Sequence, residues 1–134
     1  MADDKVSFEL ASPEELVFSA DVDMVVVPGA EGDFGVLPGH APFIATVRPG
    51  VIDVHQGDRV ENRLFVSGGF AEVNERGCTV LSDEACPVEA LERGDVEARL
   101  ATAEEAMADA DTDDERAKAE AEIAVRRAML AALE

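Results

Sequence analysis

The amino-acid sequence predicts a mainly β-sandwich fold, about ten short antiparallel strands, followed by a C-terminal α-helical hairpin. Three observations carry this. Up to Pro87 the chain is rich in β-branched residues, glycine and proline and holds all six phenylalanines, whereas Val88 to Glu134 has no Phe and no Pro and is mostly Ala, Glu, Asp and Arg. The first part breaks into short apolar/polar alternations separated by turn residues. The second carries apolar residues at helical spacing. Residues 1–87 are expected as a sandwich domain and residues 88–134 as a helix-turn-helix domain, and 134 residues suffice to bury a real core.

Val6, Phe8 and Leu10 alternate with Ser7 and Glu9, the period of a half-buried strand, and Ser12-Pro13-Glu14-Glu15 makes a turn. Phe18, Ala20, Val22, Met24 and Val26 alternate against Ser19, Asp21 and Asp23 over a run long enough for two strands or one bulged strand, which Pro28-Gly29 ends. Consecutive turns follow, then strands at Phe43 to Val47 and Val51 to His55, with Gln56-Gly57-Asp58 turning into Arg59 to Val66. Gly68-Gly69 separates that strand from Phe70 to Val73, and Asn74-Glu75-Arg76-Gly77 turns into Cys78 to Leu81.

In the last third, Val96, Leu100, Ala103, Met107 and Ala110 form one stripe of an amphipathic helix, with Asp95 as its expected cap. Thr112 and Glu115 fit a capping box opening a second helix through Ala119, Ile123, Leu130 and Leu133. Burying alanine gains far less than burying leucine at roughly 25 cal/mol per Å² of apolar surface, so the hairpin is expected to be marginal alone and able to detach and re-dock.

Pro28 to Gly50 holds half of the ten glycines and four of the six prolines, a density that specifies a shaped surface of turns rather than a flexible linker. Within it, Glu31-Gly32-Asp33-Phe34-Gly35-Val36-Leu37-Pro38-Gly39-His40-Ala41-Pro42 resembles the E-G-x-x-G-x-x-P-G-H-A-P signature of the epsilon subunit of F-type ATP synthases, called delta in mitochondria. Arg48-Pro49-Gly50-Val51-Ile52, Val66-Ser67-Gly68-Gly69-Phe70 and Thr79-Val80-Leu81-Ser82-Asp83 resemble further motifs of that family in the same order, so the likeness runs over essentially the whole chain from Phe8.

The resemblance implies a β-sandwich that packs on the gamma subunit and rests on the polar loops of the c-subunit ring. The chain would then pass ring rotation to the catalytic head as a non-catalytic rotor part, peripheral on the cytoplasmic side of a bacterial inner membrane. It implies ring contact through Glu31, Gly32, Asp33, Gly39 and His40. In many bacterial members the helical hairpin extends along gamma toward the alpha/beta head and blocks ATP hydrolysis, a role that would fall here to Arg116, Lys118, Arg126 and Arg127. Pairs with neighbouring glutamates are the alternative for these four. In some members the first helix binds ATP through an I/L-D-x-x-R-A motif. Its match, Leu91-Glu92-Arg93-Gly94-Asp95-Val96, is degraded, with Asp95 where an arginine would meet phosphate, so no nucleotide is expected.

The residues themselves offer no catalytic constellation and imply no cofactor or metal. His40 and His55 lack the spacing of a metal pair, and Cys78 and Cys86 lack a C-x-x-C spacing and read as free thiols. His40 has two readings: a ring that stiffens its loop by bonding a local carbonyl, or an interface residue, which the resemblance favours. The formal charge of −19, spread over both parts, excludes nucleic acid and anionic lipid as natural partners. No segment has the length of a transmembrane helix, so direct lipid insertion is not expected. Met-Ala-Asp-Asp-Lys at the N-terminus is neither a signal nor a transit peptide, so the chain is expected to stay where it is made. The rival reading is a free-standing small-molecule-binding sandwich with the Gly/Pro-rich loops as its mouth, against which stands the absence of Trp and Tyr to line a pocket.

Overall fold

The computed structural model describes residues 4–134, so that Met1-Ala2-Asp3, part of the segment read for targeting signals, lies outside the described residues. The chain divides into two compact units, Met1–Val88 and Glu89–Glu134.

Among its described residues the first unit holds ten strands: β1 (Val6–Ala11), β2 (Leu16–Val22), β3 (Met24–Gly29), β4 (Gly32–Val36), β5 (Phe43–Val47), β6 (Gly50–Gln56), β7 (Arg59–Val66), β8 (Gly69–Val73), β9 (Gly77–Leu81) and β10 (Ala85–Pro87). They form one sheet folded on itself as a sandwich, in the order β10-β7-β6-β3-β5-β8-β9-β1-β2, with β4 attached to β3 alone. Period-two alternation decides which side chains turn inward. Val6, Phe8 and Leu10 of β1 face the core with Val25 and Val27 of β3, Ile52 and Val54 of β6, and Ala71 and Val73 of β8. The rings of Phe8 and Phe18 lie 5.8 Å apart at its margin.

The long Phe18–Val26 run is two strands that turn at Asp23, the first of the two alternatives. Four features differ from the sequence expectation. The second strand of that run continues through Pro28 and Gly29 instead of ending there. Gly32 to Val36 is a strand, not a turn: Phe34 and Val36 pair with Val27 and Val25, which leaves Asp33 and Gly35 outward. The sheet is not wholly antiparallel, because β1 runs parallel to β9 with Phe8 beside Cys78 and Leu10 beside Val80. That pair joins distant parts of the chain, which no local pattern announces. Finally, Ala85–Pro87 adds a short edge strand against Leu64, Phe65 and Val66, where a terminal proline costs no ladder bond.

Asp23 fastens one end of the sandwich. Its carboxylate accepts the Gly57 amide at 2.6 Å and an ion-paired hydrogen bond from Lys5. The Gly57 bond first, then Lys5, holds its pKa below the ordinary aspartate value.

The second unit has two helices, α1 (Arg93–Asp109) and α2 (Asp113–Ala132), packed on each other and preceded by a short 3-10 turn at Val88–Ala90. The predicted capping box is present: Thr112 Oγ1 accepts the Glu115 amide while the Glu115 carboxylate accepts the amides of Asp111 and Thr112. Asp95 does not cap α1. The N-cap is Glu92, without a side-chain bond, and Asp95 lies in the first turn 3.4 Å from Arg99. In α1 Val96 and Ala103 are buried as the stripe requires, with Leu100 and Met107 half-buried. In α2 Ala119 is buried, but Ile123, Leu130 and Leu133 are only half-buried. The buried set continues instead through Val125, Arg126, Met129 and Ala132.

Candidate functional site

The Gly/Pro-rich stretch builds a projecting tip. β3 and β4 are joined by the two-residue turn Ala30-Glu31, and neither residue has a positive φ. The reversal is taken up at Gly32, whose φ of +137° an L side chain avoids. At the base a Cβ on Gly29 would lie 2.6 Å from the Gly32 carbonyl oxygen, so the hairpin closes only around glycine. Glu31, Gly32 and Asp33 are all exposed.

Arg48, in the link between β5 and β6, reaches back to this hairpin. Its guanidinium donates to the Gly29 carbonyl at 2.5 Å and to the Asp33 carboxylate at 2.6 Å, while its own amide donates to Pro28. A second backbone bond, from the Ala30 amide to Thr46, ties the tip to β5. A shallow cleft of about 570 Å³ lies alongside, lined by the tip and by Phe34, Phe43 and Ile44.

Gly39 and His40 sit in the following turn, where Gly39 has a φ of +78° and the His40 amide donates to Leu37. His40 Nδ1 is 2.7 Å from its neighbour Ala41's carbonyl oxygen, so Nδ1 carries a proton there. Its ring centroid is 6.2 Å from that of Phe43, which meets Phe34 edge-on at 5.2 Å. The loop-stiffening bond expected of His40 is therefore present. It leaves the half-exposed ring at the surface, so both readings of this residue describe the same geometry.

Sequence reasoning missed one surface. Across β5, β8, β9, β1 and β2 the paired positions Thr46, Phe70, Leu81, Ala11 and Leu16 form a row on the outward face. Ile44 stands two residues from Thr46 on the same face. Ile44 is 70 % exposed, Leu16 57 %, Phe70 50 % and Leu81 43 %, so this face carries four large apolar side chains in water. The signal was in the phase: Phe70 and Leu81 fall out of step with the inward Ala71, Val73, Cys78 and Val80.

In the helical unit, the four basic residues do not form one open patch. Arg116 is 3.2 Å from Asp113, and Arg127 reaches Glu104 on α1 at 3.7 Å. Arg126 is buried, held by Glu122 at 2.7 Å and donating to the Met129 sulfur at 3.4 Å. Lys118 lines an alanine-floored groove of about 660 Å³ between the helices, with Arg99, Glu115 and Glu122.

Among the described residues no group of three or more His, Cys, Asp and Glu is placed to hold a metal ion, and no helix is long and apolar enough to cross a membrane. Burial pushes the Cys78 thiol up to about 12, and burial together with Glu84 raises that of Cys86, so both stay protonated and unreactive near neutral pH.

Comparison with known proteins covers nearly the whole chain. Residues 5–88 match the family model of the ATP synthase delta/epsilon chain β-sandwich domain. The chain is 55 % identical to the ATP synthase epsilon chain of Paramagnetospirillum magneticum over 130 residues, covering 97 % of this chain and 98 % of that one. It is 52 % identical to that of Rhodospirillum rubrum over 125 residues, 93 % of each. The fold is shared with a chain of Euglena gracilis mitochondrial ATP synthase in a structure of its OSCP, F1 and c-ring, with TM-score 0.81, 23 % identity, and coverage of 97 % of this chain and 82 % of that one. It is also shared with a chain from the central stalk and c-ring of the Tetrahymena thermophila enzyme, with TM-score 0.67, 17 % identity and 97 % of each chain covered.

Proposed function

The chain belongs to the delta/epsilon chain family of ATP synthases, and from that premise we propose that it is the epsilon subunit of a bacterial F-type enzyme, a non-catalytic part of the central-stalk rotor. The observation that carries this is identity above one half along nearly the full length of an epsilon chain, helical unit included. In this reading the Ala30-Glu31 tip and the Gly39-His40 turn meet the c-subunit ring, and the apolar band of Leu16, Ile44, Phe70 and Leu81 is the face that docks on gamma. Gamma would cover apolar surface that a free monomer leaves in water. The subunit then lies at the cytoplasmic face of the inner membrane without entering it.

The helical unit is the candidate regulator of ATP hydrolysis. Arg116, Arg126 and Arg127 are engaged inside the hairpin, so an inhibitory contact with the head through them requires these pairs to exchange partners. Hydrolysis by the catalytic head lacking this chain, measured after adding back the full chain or residues 1–88, tests both halves of the reading. Inhibition by the full chain alone assigns regulation to the helices. Binding of both without inhibition leaves a coupling subunit, and failure of either to bind overturns the proposal.

A further inference from the structure

On the reading that the apolar face of the sandwich meets gamma, we infer that Glu9 and Glu72 on the same face meet lysine or arginine on gamma, steer its approach and set the register in which it docks.

Strand register lays a second row of side chains beside the apolar one. Ile44 pairs with Glu72, Glu72 with Thr79, Thr79 with Glu9 and Glu9 with Ser19, on the outward side of β5, β8, β9, β1 and β2. Glu72 and Glu9 stand two residues from Phe70 and Ala11 of the apolar row, a step of about 7 Å, and two strand spacings of about 5 Å each separate them from one another. Thr46 of the apolar row accepts the Ala30 amide of the tip, so the carboxylates lie on the side away from the tip. Both glutamates are exposed, as is Asp21, two residues beyond Ser19 on β2.

The two layers of the sandwich treat outward carboxylates differently. On the other layer Asp53 of β6 faces Arg63 of β7 across the ladder, 3.8 Å away. On this one, none of the five strands contains a lysine or an arginine. Lys5, just before β1, is given to Asp23, and Arg76 lies in the turn before β9. Among the described residues Glu9, Glu72 and Asp21 have no ion-pair partner. Unneutralised charge beside exposed apolar side chains fits a partner that brings an apolar strip with cations alongside it. It opposes a second copy of this chain, because a two-fold contact would set a face of one charge sign against itself. Charges flanking a docking patch act on the rate of encounter and on register, whereas the apolar patch governs release.

The test follows association of the full chain with the catalytic head lacking it, at low and high salt. The variants are Glu9→Gln/Glu72→Gln, Glu9→Lys/Glu72→Lys, Phe70→Ala, and a control, Asp58→Asn/Glu61→Gln, which removes the same charge from the β6–β7 hairpin. At low salt the association rate should fall about threefold in the glutamine pair and about tenfold in the lysine pair, with a flatter salt dependence, while the control stays close to wild type. Phe70→Ala should instead speed dissociation, by about tenfold, and leave the salt dependence unchanged.

Equal slowing in the glutamine pair and the control overturns the inference, since net charge and not this row would then steer the encounter. Faster dissociation in Phe70→Ala with a glutamine pair that behaves as wild type also overturns it, and leaves the docking face standing. If neither Phe70→Ala nor either glutamate pair differs from wild type, it is the reading that this face meets gamma that falls. Sedimentation of the isolated full chain should show a monomer, and a dimer dispersed by Phe70→Ala would make a second copy the occupant and overturn the assignment to gamma.

Discussion

The two units of this chain reach stability by different routes. Phe8, Leu10, Val22, Val25, Val27, Val36, Ile52 and Val54 of the sandwich are wholly sealed from solvent. The buried set of the helical unit is Val96, Ala103, Ala119, Val125, Arg126, Met129 and Ala132, with three alanines and an arginine among seven. Long-range strand pairing and dense burial make the first unit stiff. The second depends more on local devices, its capping box and its i,i+4 ion pairs, of which Asp95–Arg99 is exposed and Glu122–Arg126 lies in the buried seam itself. The contrast suits the function proposed above, in which the sandwich would transmit force and the helical unit would change its contacts.

The contrast is broken most directly by truncating a large side chain in each unit. Phe8→Ala should cost about 3–5 kcal/mol, the range for a buried phenylalanine. Val96→Ala, which removes two methyl groups from the helical seam, should cost about 2 kcal/mol. Because two units need not unfold together, each loss is read by hydrogen exchange of that unit's slowest amides. Equal losses in both units from Val96→Ala would show that they unfold as one and remove the distinction.

Local devices can be tested next. Thr112→Ala removes the N-cap acceptor of α2 and should destabilise that helix by about 1 kcal/mol, visible in its exchange rates but not in those of the sandwich strands. Gly94→Ala works in the opposite direction. No atom lies within 4 Å of a Cβ placed there and the residue has no positive φ, so alanine should stabilise α1 by about 0.5 kcal/mol, seen as slower exchange in its first turns.

The sequence made legible what repeats along the chain and hid what is paired across it. The alternation of Val6, Phe8 and Leu10 and the turn at Gln56-Gly57-Asp58 announced their strands because period and turn chemistry are local. β4 was hidden because two of its five residues are glycine, which reads as turn, and β10 because three residues carry no period. On α2 the buried face passes through Arg126, a cation that a hydropathy stripe excludes. Only Glu122 four residues earlier hints that it can be neutralised. At the site, the signature residues named the tip, but Arg48 stands fifteen residues from Asp33 and their pairing exists only in the fold.

The smallest expected effect probes the turn between the two helices. Glu115 is exposed, and bonds from the Asp111 amide first, then from Thr112, hold its carboxyl below the ordinary glutamate value. A carboxyl with a depressed folded pKa stabilises the fold above its unfolded pKa, and that contribution is lost as pH falls through the folded one. On going from neutral pH to below the ordinary glutamate range, the Asp111 and Thr112 amides should therefore lose protection, by roughly two- to threefold after correction for intrinsic exchange. Glu115→Gln can still accept these bonds through its amide oxygen but does not titrate, so its protection should be weaker at neutral pH and flat across the same range. Asp23 supplies the internal contrast, since its depressed carboxyl clamps the sandwich at Gly57. Acid should loosen the Gly57 amide too, yet leave the core strands protected, because they are held by burial that does not titrate. If the amides of α2 beyond its first turn also lost protection in step with Glu115, the capping box would be holding the whole helix rather than its end, and the arm would be more weakly packed than its buried residues imply.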